Sequence, residues 1–310
     1  MYDTVTMKLS RHEVQGVSFL EETSQYLDEI TSTYERGGVF GVVGRVGGLT
    51  VSLDEGAARV TRGSLCKWHL GDNVHELDRA ETGRAIERLS DTLHLPIERA
   101  AVTRLDVGHN LFMQHPPEVY FNHLGVLRYA SRLEEPSGVY YKQGSGRLAF
   151  YDKAREARAA GGYVPEVCRT ENILRYERRF TKWLSHYLQE PRVTAADLSE
   201  ERFYSKVSGM WLQSYRDIHK VKLITINPEA MRSKKEFDKA ARLALVEKVG
   251  GEAAMLEQIQ EMQRRGDITK KQAYDMRKTV KAACVSGMGL TVQSDAVTEL
   301  DRKIAEAAAR

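Results

Sequence analysis

The chain has 310 residues, 42% hydrophobic and 29% charged, with a formal net charge of +3; this profile excludes composition-driven disorder and predicts one main domain with a smaller appendage. So small a charge neither requires nor excludes a nucleic-acid partner, because recognition depends on where cations cluster. Cys66, Cys168 and Cys284 are odd in number and far apart, which argues against a zinc site or a disulfide framework, and no apolar run reaches the ~18 residues a membrane span needs.

Near the amino terminus Asp3, Lys8 and Arg11 stand where a signal peptide would be apolar, so a reducing, cytoplasmic location is expected. Val5, Met7 and Leu9 alternate with polar residues and predict a strand over 4–9. Residues 18–35 have a looser spacing that reads as a helix. Strands over 39–46 and 49–53 flank Gly47 and Gly48, a hairpin turn at which positive φ is freely available. No Gly-Lys-Ser/Thr ending accompanies these glycines, so they are not read as a phosphate loop. Residues 58–67 read as a further strand pair or edge, and 79–93 as a helix with Ala85, Ile86 and Leu89 inward.

Strands are expected over 102–110, 147–153 and 173–180, a helix over 118–131 with Tyr120, Phe121, Leu124 and Leu127 inward, and a hairpin joining 138–142 to the strand of Tyr151. A polar excursion over 155–162 ends at Gly161 and Gly162. Beyond Thr194 the chain is rich in Ala, Glu, Lys, Arg and Met at helical spacing over 197–218 and 233–310. Leu223, Ile224 and Ile226 suggest one edge strand before Asn227 and Pro228. Gly266, Asp267 and Thr269 punctuate two helices, with Thr269 as a cap. Arg264, Arg265, Lys270, Lys271, Arg277, Lys278 and Lys281 cluster there, either to grip DNA backbone or as a solvated face. The expected class is α+β, an antiparallel sheet with helices on one face followed by a helical region, with domains at 1–193 and 194–310.

Three strands carry the chemistry. Side chains alternate along a strand, so Leu105 and Val107 oppose Arg104, Asp106, Gly108 and Asn110; Leu148 and Phe150 oppose Arg147, Tyr151 and Lys153; Leu174 and Tyr176 oppose Arg175, Glu177 and Arg179. In one sheet these polar sides would gather two carboxylates, a tyrosine and several cations, a set suited to a nucleic-acid phosphodiester. Most tyrosines on strands pack, and carboxylates beside arginines often form surface ion pairs. His109 has the opposite parity and is read as structural. Glu156 is read as a further ligand or as the start of a helix. Trp68, Trp183 and Trp211 are read as core residues before stacking platforms.

In order, Gly63-Ser64-Leu65-Cys66-Lys67, Gly71-Asp72-Asn73, Thr103-Arg104-Leu105-Asp106-Val107, Leu148-Ala149-Phe150-Tyr151-Asp152-Lys153 with Glu156, and Leu174-Arg175-Tyr176-Glu177 resemble blocks of the gene II/X-type replication initiation proteins of filamentous phages and related plasmids. The resemblance covers roughly residues 1–220. It implies a rolling-circle initiator that nicks one origin strand through a tyrosine, keeps the 5′ phosphate and frees a 3′-hydroxyl primer. Tyr151 would be the nucleophile, with Lys153 beside it lowering the cost of ionising a hydroxyl whose pKa is near ~10. Tyr140 and Tyr141 are rival nucleophiles and candidate base-stacking residues.

Asp106 and Glu177 would hold a divalent ion, Mg²⁺ or Mn²⁺, although the two-histidine metal motif of many rolling-circle nickases is missing. Arg104, Asn110, Arg147, Arg175 and Arg179 would contact DNA. The implied partners are origin DNA, single-stranded or in a hairpin at the nick site, and a host helicase and polymerase. A noncatalytic origin-binding initiator and a water-using metal nuclease remain alternatives.

Overall fold

The computed structural model describes residues 1–14, 16–144, 146–161, 164–181, 184–221, 233–286 and 295–310. Expectations for Gly162, Trp183 and the edge strand at 223–228 lie outside the described residues. Strands β1 (Tyr2–Ser10), β2 (Glu29–Arg36), β3 (Val39–Val46), β4 (Leu49–Asp54) and β5 (Ala57–Arg62) precede helices α1 (Leu65–Leu70) and α2 (Arg79–Leu93). Then come β6 (Ala101–Met113), α3 (Pro117–Phe121), β7 (Leu124–Leu127), β8 (Ser131–Glu135), β9 (Gly138–Gln143) and β10 (Gly146–Asp152). They are followed by α4 (Lys153–Ala159), α5 (Val167–Thr170), β11 (Asn172–Phe180), α6 (Leu184–Leu188), α7 (Glu201–Arg216) and β12 (Ile218–Lys220). The chain closes with α8 (Lys234–Val249), α9 (Gly251–Arg265), α10 (Lys270–Ser286) and α11 (Asp295–Ala308).

Ten strands form one sheet in the order β2-β3-β4-β5-β1-β6-β11-β10-β9-β8, with every pairing antiparallel, and β7 pairs separately with β12. The α+β expectation holds. The odd-numbered residues of the second half of β6 and the even-numbered residues of β10 and β11 meet α7 in a buried aromatic pile. Phe150 stacks on Tyr176 at 4.3 Å, Tyr176 lies 4.6 Å from Trp211, and Trp211 meets His109 edge-on at 4.9 Å. The Tyr176 hydroxyl donates to the Trp211 carbonyl at 3.0 Å, which fixes β11 against α7. Each such side chain, fully buried, contributes about 1.5–3 kcal/mol. The pile is a rigid backing for the opposite face of the same strands.

Four local expectations are corrected. Residues 18–35 are not one helix: short turns cover 18–26, and Ile30, Thr31 and Thr33, whose branched side chains prefer extended backbone, lie in β2. Helix 118–131 stops at Phe121, and β7 follows because Gly125 lets the backbone of His219 approach; a Cβ there would stand 2.8 Å from its carbonyl oxygen. Residues 65–67 begin α1 rather than a strand, capped by Ser64, whose hydroxyl accepts the Lys67 amide at 3.0 Å. Residues 155–159 are helical, within α4.

Helices also occupy part of the second face, where α4 and α5 pack Ala154 and Cys168 with Val74 over Ile173. Nor does the packing divide at 193/194. Trp211 of α7 and Leu300 and Ile304 of α11 lie in the main core, while α8, α9 and α10 close around their own cluster of Val246, Ile259, Ala273 and Val280. The helical hairpin is as expected: Gly266, at φ +80°, ends α9, and the Thr269 hydroxyl caps α10 through the Gln272 amide at 3.3 Å. Among the described residues no helix is long and apolar enough to cross a membrane.

Candidate functional site

The antiparallel register sets the polar residues of β6, β9, β10 and β11 in three cross-strand rows on the face opposite the aromatic pile. The first row reads Lys142, Arg147, Arg179, Asp106; the second Tyr140, Ala149, Glu177, Gly108; the third Tyr151, Arg175, Asn110. The alternation predicted for the three strands is therefore met. Glu177 sits between two small residues and its side chain lies over Gly108, where a Cβ would stand 2.6 Å from the Glu177 Cγ. Glycine inside a strand signals such a close approach.

Glu177 is the hub. Its Oε1 accepts from the Tyr151 hydroxyl at 2.8 Å and from Arg175 Nε at 2.5 Å, and its Oε2 from Arg179 Nε at 2.7 Å. Burial pushes its pKa up, but the charges of Arg175 and Arg179 and these hydrogen bonds outweigh it and hold the carboxyl at about 2. Burial raises Tyr151 well above 10 against the pull of Arg175, and the Glu177 charge adds to the rise. Arg104 clamps Asp106 with Nε at 3.0 Å and Nη2 at 2.6 Å. Burial nevertheless leaves Asp106 above its ordinary value.

Several placements differ from the sequence expectation. Lys153 does not share the strand face of Tyr151: β10 ends at Asp152, whose carboxylate caps α4 through the Arg155 amide at 2.9 Å. Fully buried, Lys153 gives its ammonium to Glu156 at 2.7 Å, which makes Glu156 a first-turn helix residue paired to a lysine. Arg175 is 3% exposed and is held by Glu177, Asn110 Oδ1 at 3.0 Å and Asp3 Oδ2 at 3.0 Å, so it presents nothing to DNA. Asn110 is likewise structural, donating to the carbonyls of Asn73 at 3.1 Å and Val74 at 2.8 Å. Tyr141 lies in the core on the aromatic side, its hydroxyl on the Gly125 carbonyl at 2.6 Å. His109 keeps to the aromatic side as expected, with Nδ1 at 2.6 Å from Glu76.

Asp106 and Glu177 are diagonal neighbours, but both oxygens of each are already taken by arginine or Tyr151 donors. Among the described residues no group of three or more His, Cys, Asp or Glu could hold a metal ion. As arranged, the pair does not fit a divalent cation, and the arginines balance its charge. Asp3, which no local pattern singles out, also belongs to the cluster: it accepts from Arg175 and from the Ser64 hydroxyl, joining the start of α1 to the rows.

Beside the hub a groove of about 340 Å³ opens between β8 and β11, lined by Leu133, Tyr140, Lys142, Arg147 and Arg179 among others. Tyr140 is half-buried, and its hydroxyl makes no hydrogen bond among the described residues. Burial raises its pKa, as does Glu135, against the pull of Arg179. Arg179 and Arg104 keep side-chain exposures of 28% and 38%, so a ligand could reach both.

No curated protein and no solved structure matches the chain. A family model for the amino-terminal part of the gene II replication-associated protein matches residues 1–201, which include all three rows and Asp3. With that match covering most of the chain, it belongs to the family of replication-associated proteins of the filamentous-phage gene II type.

Proposed function

We propose that the protein is a rolling-circle nicking initiator whose Tyr151 forms the covalent link to DNA, with the single strand lying in the Tyr140 groove. One observation carries this reading: the buried Tyr151 hydroxyl is hydrogen-bonded to Glu177, whose other partner Arg179 lines a cationic groove. The groove supplies what unpaired DNA needs, an aromatic ring for a base and Lys142, Arg147 and Arg179 for phosphates.

In the proposed step the Tyr151 Oη bonds to phosphorus and gives up its proton, the P–O3′ bond breaks, and the 3′ oxygen takes up one proton and leaves as a hydroxyl, so that overall one proton passes from the tyrosine to the departing oxygen. The phosphotyrosine keeps the 5′ end ready for rejoining. Burial holds the Tyr151 hydroxyl well above its ordinary range while Arg175 and Arg179 hold the Glu177 carboxyl low, so direct proton transfer from one to the other is strongly uphill. Glu177 therefore orients the hydroxyl in the free protein. A phosphate entering the groove competes for Arg179, and drawing that arginine away leaves Glu177 more basic beside the reacting hydroxyl. No step is assigned to a metal. Origin DNA is the partner this chemistry acts on, and a host helicase and polymerase would extend the freed 3′ end.

The test is incubation of supercoiled plasmid carrying the protein's own origin region with wild type, Tyr151→Phe and Tyr140→Phe, scoring nicks and protein bound to a 5′ end. Loss of the adduct in Tyr151→Phe alone is expected. Loss in Tyr140→Phe alone moves the nucleophile to Tyr140, and nicking without any adduct indicates a water nuclease. The complete occupation of both carboxylates favours one other reading, a noncatalytic origin binder, for which no variant and no wild type would nick.

A further inference from the structure

We propose that α8 and α10 form a second DNA site, a sequence-independent cradle for the backbone of duplex DNA, separate from the sheet groove; it rests on the replication reading above. The unit α8–α10 lies outside the family match and has its own apolar cluster. Its charge is lopsided: α8 and α10 carry ten Lys and Arg against four Asp and Glu, whereas α9 carries two against three.

The cations at the helical turn are partly neutralised, Arg264 by Glu261 at 2.8 Å and Arg265 by Asp267 at 3.2 Å. Those between the helices are not. A groove of about 260 Å³ is lined by Lys239, Arg242 and Lys278, with Thr279, Ala282 and Ala283 completing its walls. Lys235, Lys239 and Arg242 follow the i, i+4, i+7 spacing of one face of α8, whereas on α10 Lys271 and Lys278 stand seven apart with Asp275 at the i+4 position between them. None of these five has a carboxylate within salt-bridge distance among the described residues. Seven residues of helix rise about 10 Å, the axial span of about three phosphates on one strand of a duplex.

A cationic row on α8 faces Lys278 of α10 across small side chains, and these like charges repel one another until a polyanion lies along them. The pattern fits a backbone rather than a compact anion, because Lys235, Lys239 and Arg242 extend along α8 instead of converging on one point. Duplex is favoured over single strand because, among the described residues, no aromatic ring lines this groove; the exposed Tyr274 is not among its walls. The sheet groove would thus hold the melted nick site while α8 and α10 hold flanking duplex.

The test uses the full chain and a labelled duplex of about 30 base pairs of arbitrary sequence, titrated at several salt concentrations. K239Q/R242Q/K278Q is compared with R264Q/R265Q/R302Q, which removes the same charge from cations already paired with acids. The groove variant is expected to lower the slope of log K against log salt by about 2–3, at about 0.9 per phosphate contact, and the single K278Q by about 1. The control should keep the wild-type slope, and adduct formation on a single-stranded origin oligonucleotide should be equal in both triple variants. Equal slopes in both triples, or an unchanged slope in the groove variant, would overturn the proposal, as would polyglutamate displacing the duplex as effectively as unlabelled duplex does. If wild type forms no adduct at all, the nicking reading fails while the salt slopes still decide this one.

Discussion

Gly108→Ala probes the close approach on which the hub depends. The added Cβ would stand 2.6 Å from the Glu177 Cγ, 2.9 Å from the Tyr176 carbonyl oxygen and 3.3 Å from the Glu177 Cα. Rotation of Glu177 relieves only the first contact; the other two are backbone and require β6 and β11 to part at the centre of the sheet. Replacing glycine with alanine gains about 0.4–1 kcal/mol by restricting the unfolded chain. Overpacking a fixed site costs about 1–3 kcal/mol, so the balance is a net loss of about 1–2 kcal/mol. Thermal unfolding followed by circular dichroism should show a midpoint lower by a few degrees. Because Glu177 must also turn away from Tyr151, adduct formation should fall by more than the stability loss explains, even well below the midpoint. A variant with the wild-type midpoint and the wild-type adduct yield would refute both the close approach and the role assigned to Glu177.

Glu177→Gln leaves Arg175 and Arg179 without the hub's negative charge, and a loss of about 3–5 kcal/mol is expected from denaturant titration. In wild type the Glu177 pKa is depressed from 4.5 to about 2, so its stabilisation is fully present above pH 4.5 and is lost as pH falls toward 2. That acid-sensitive part, about 3 kcal/mol, should be missing from the variant's pH profile. Tyr141→Phe removes the bond to the Gly125 carbonyl and should cost about 1 kcal/mol while leaving adduct yield unchanged, which a parallel melt and plasmid assay would show. Because arginines fill the carboxylates, Mn²⁺ without DNA should leave the wild-type melting midpoint in place but stabilise R104Q/R179Q by about 1–3 kcal/mol. Equal stabilisation of wild type would contradict the arginine-held arrangement.

The rows were legible in the sequence because strand alternation is a local property: Asp106, Glu177 and Tyr151 each have apolar neighbours at odd spacing, and the sheet aligned them. Parity alone could not say how deep each side chain lies. Arg175 and Arg179 have the same parity, yet one is buried and bonded to Asp3 and Asn110 while the other borders the groove. Lys153 was misplaced because the alternation runs one residue past the strand, and Asp152 reads as a strand residue until its carboxylate is seen to cap a helix. Residues 18–35 and 118–131 show apolar spacing compatible with helices, but β-branched residues in the first and Gly125 in the second favour sheet pairing.

The order of strands in the sheet bears on when the hub can exist. β2 to β5 and β8 to β10 are meanders of sequence neighbours that can pair as they are made, whereas β1, β6 and β11 come together from distant parts of the chain. The contact of Arg175 with Asp3 spans 172 residues and that with Asn110 spans 65. Closing such long loops is slow and comes late in folding. During synthesis β6 can pair with β1 before β8 to β10 are made, and Glu177 would meet its partners only after β11 had left the ribosome. A chain stopped short of residue 172 would hold both meanders and no hub, so the arrangement around Glu177 belongs only to a chain whose whole sheet has been made.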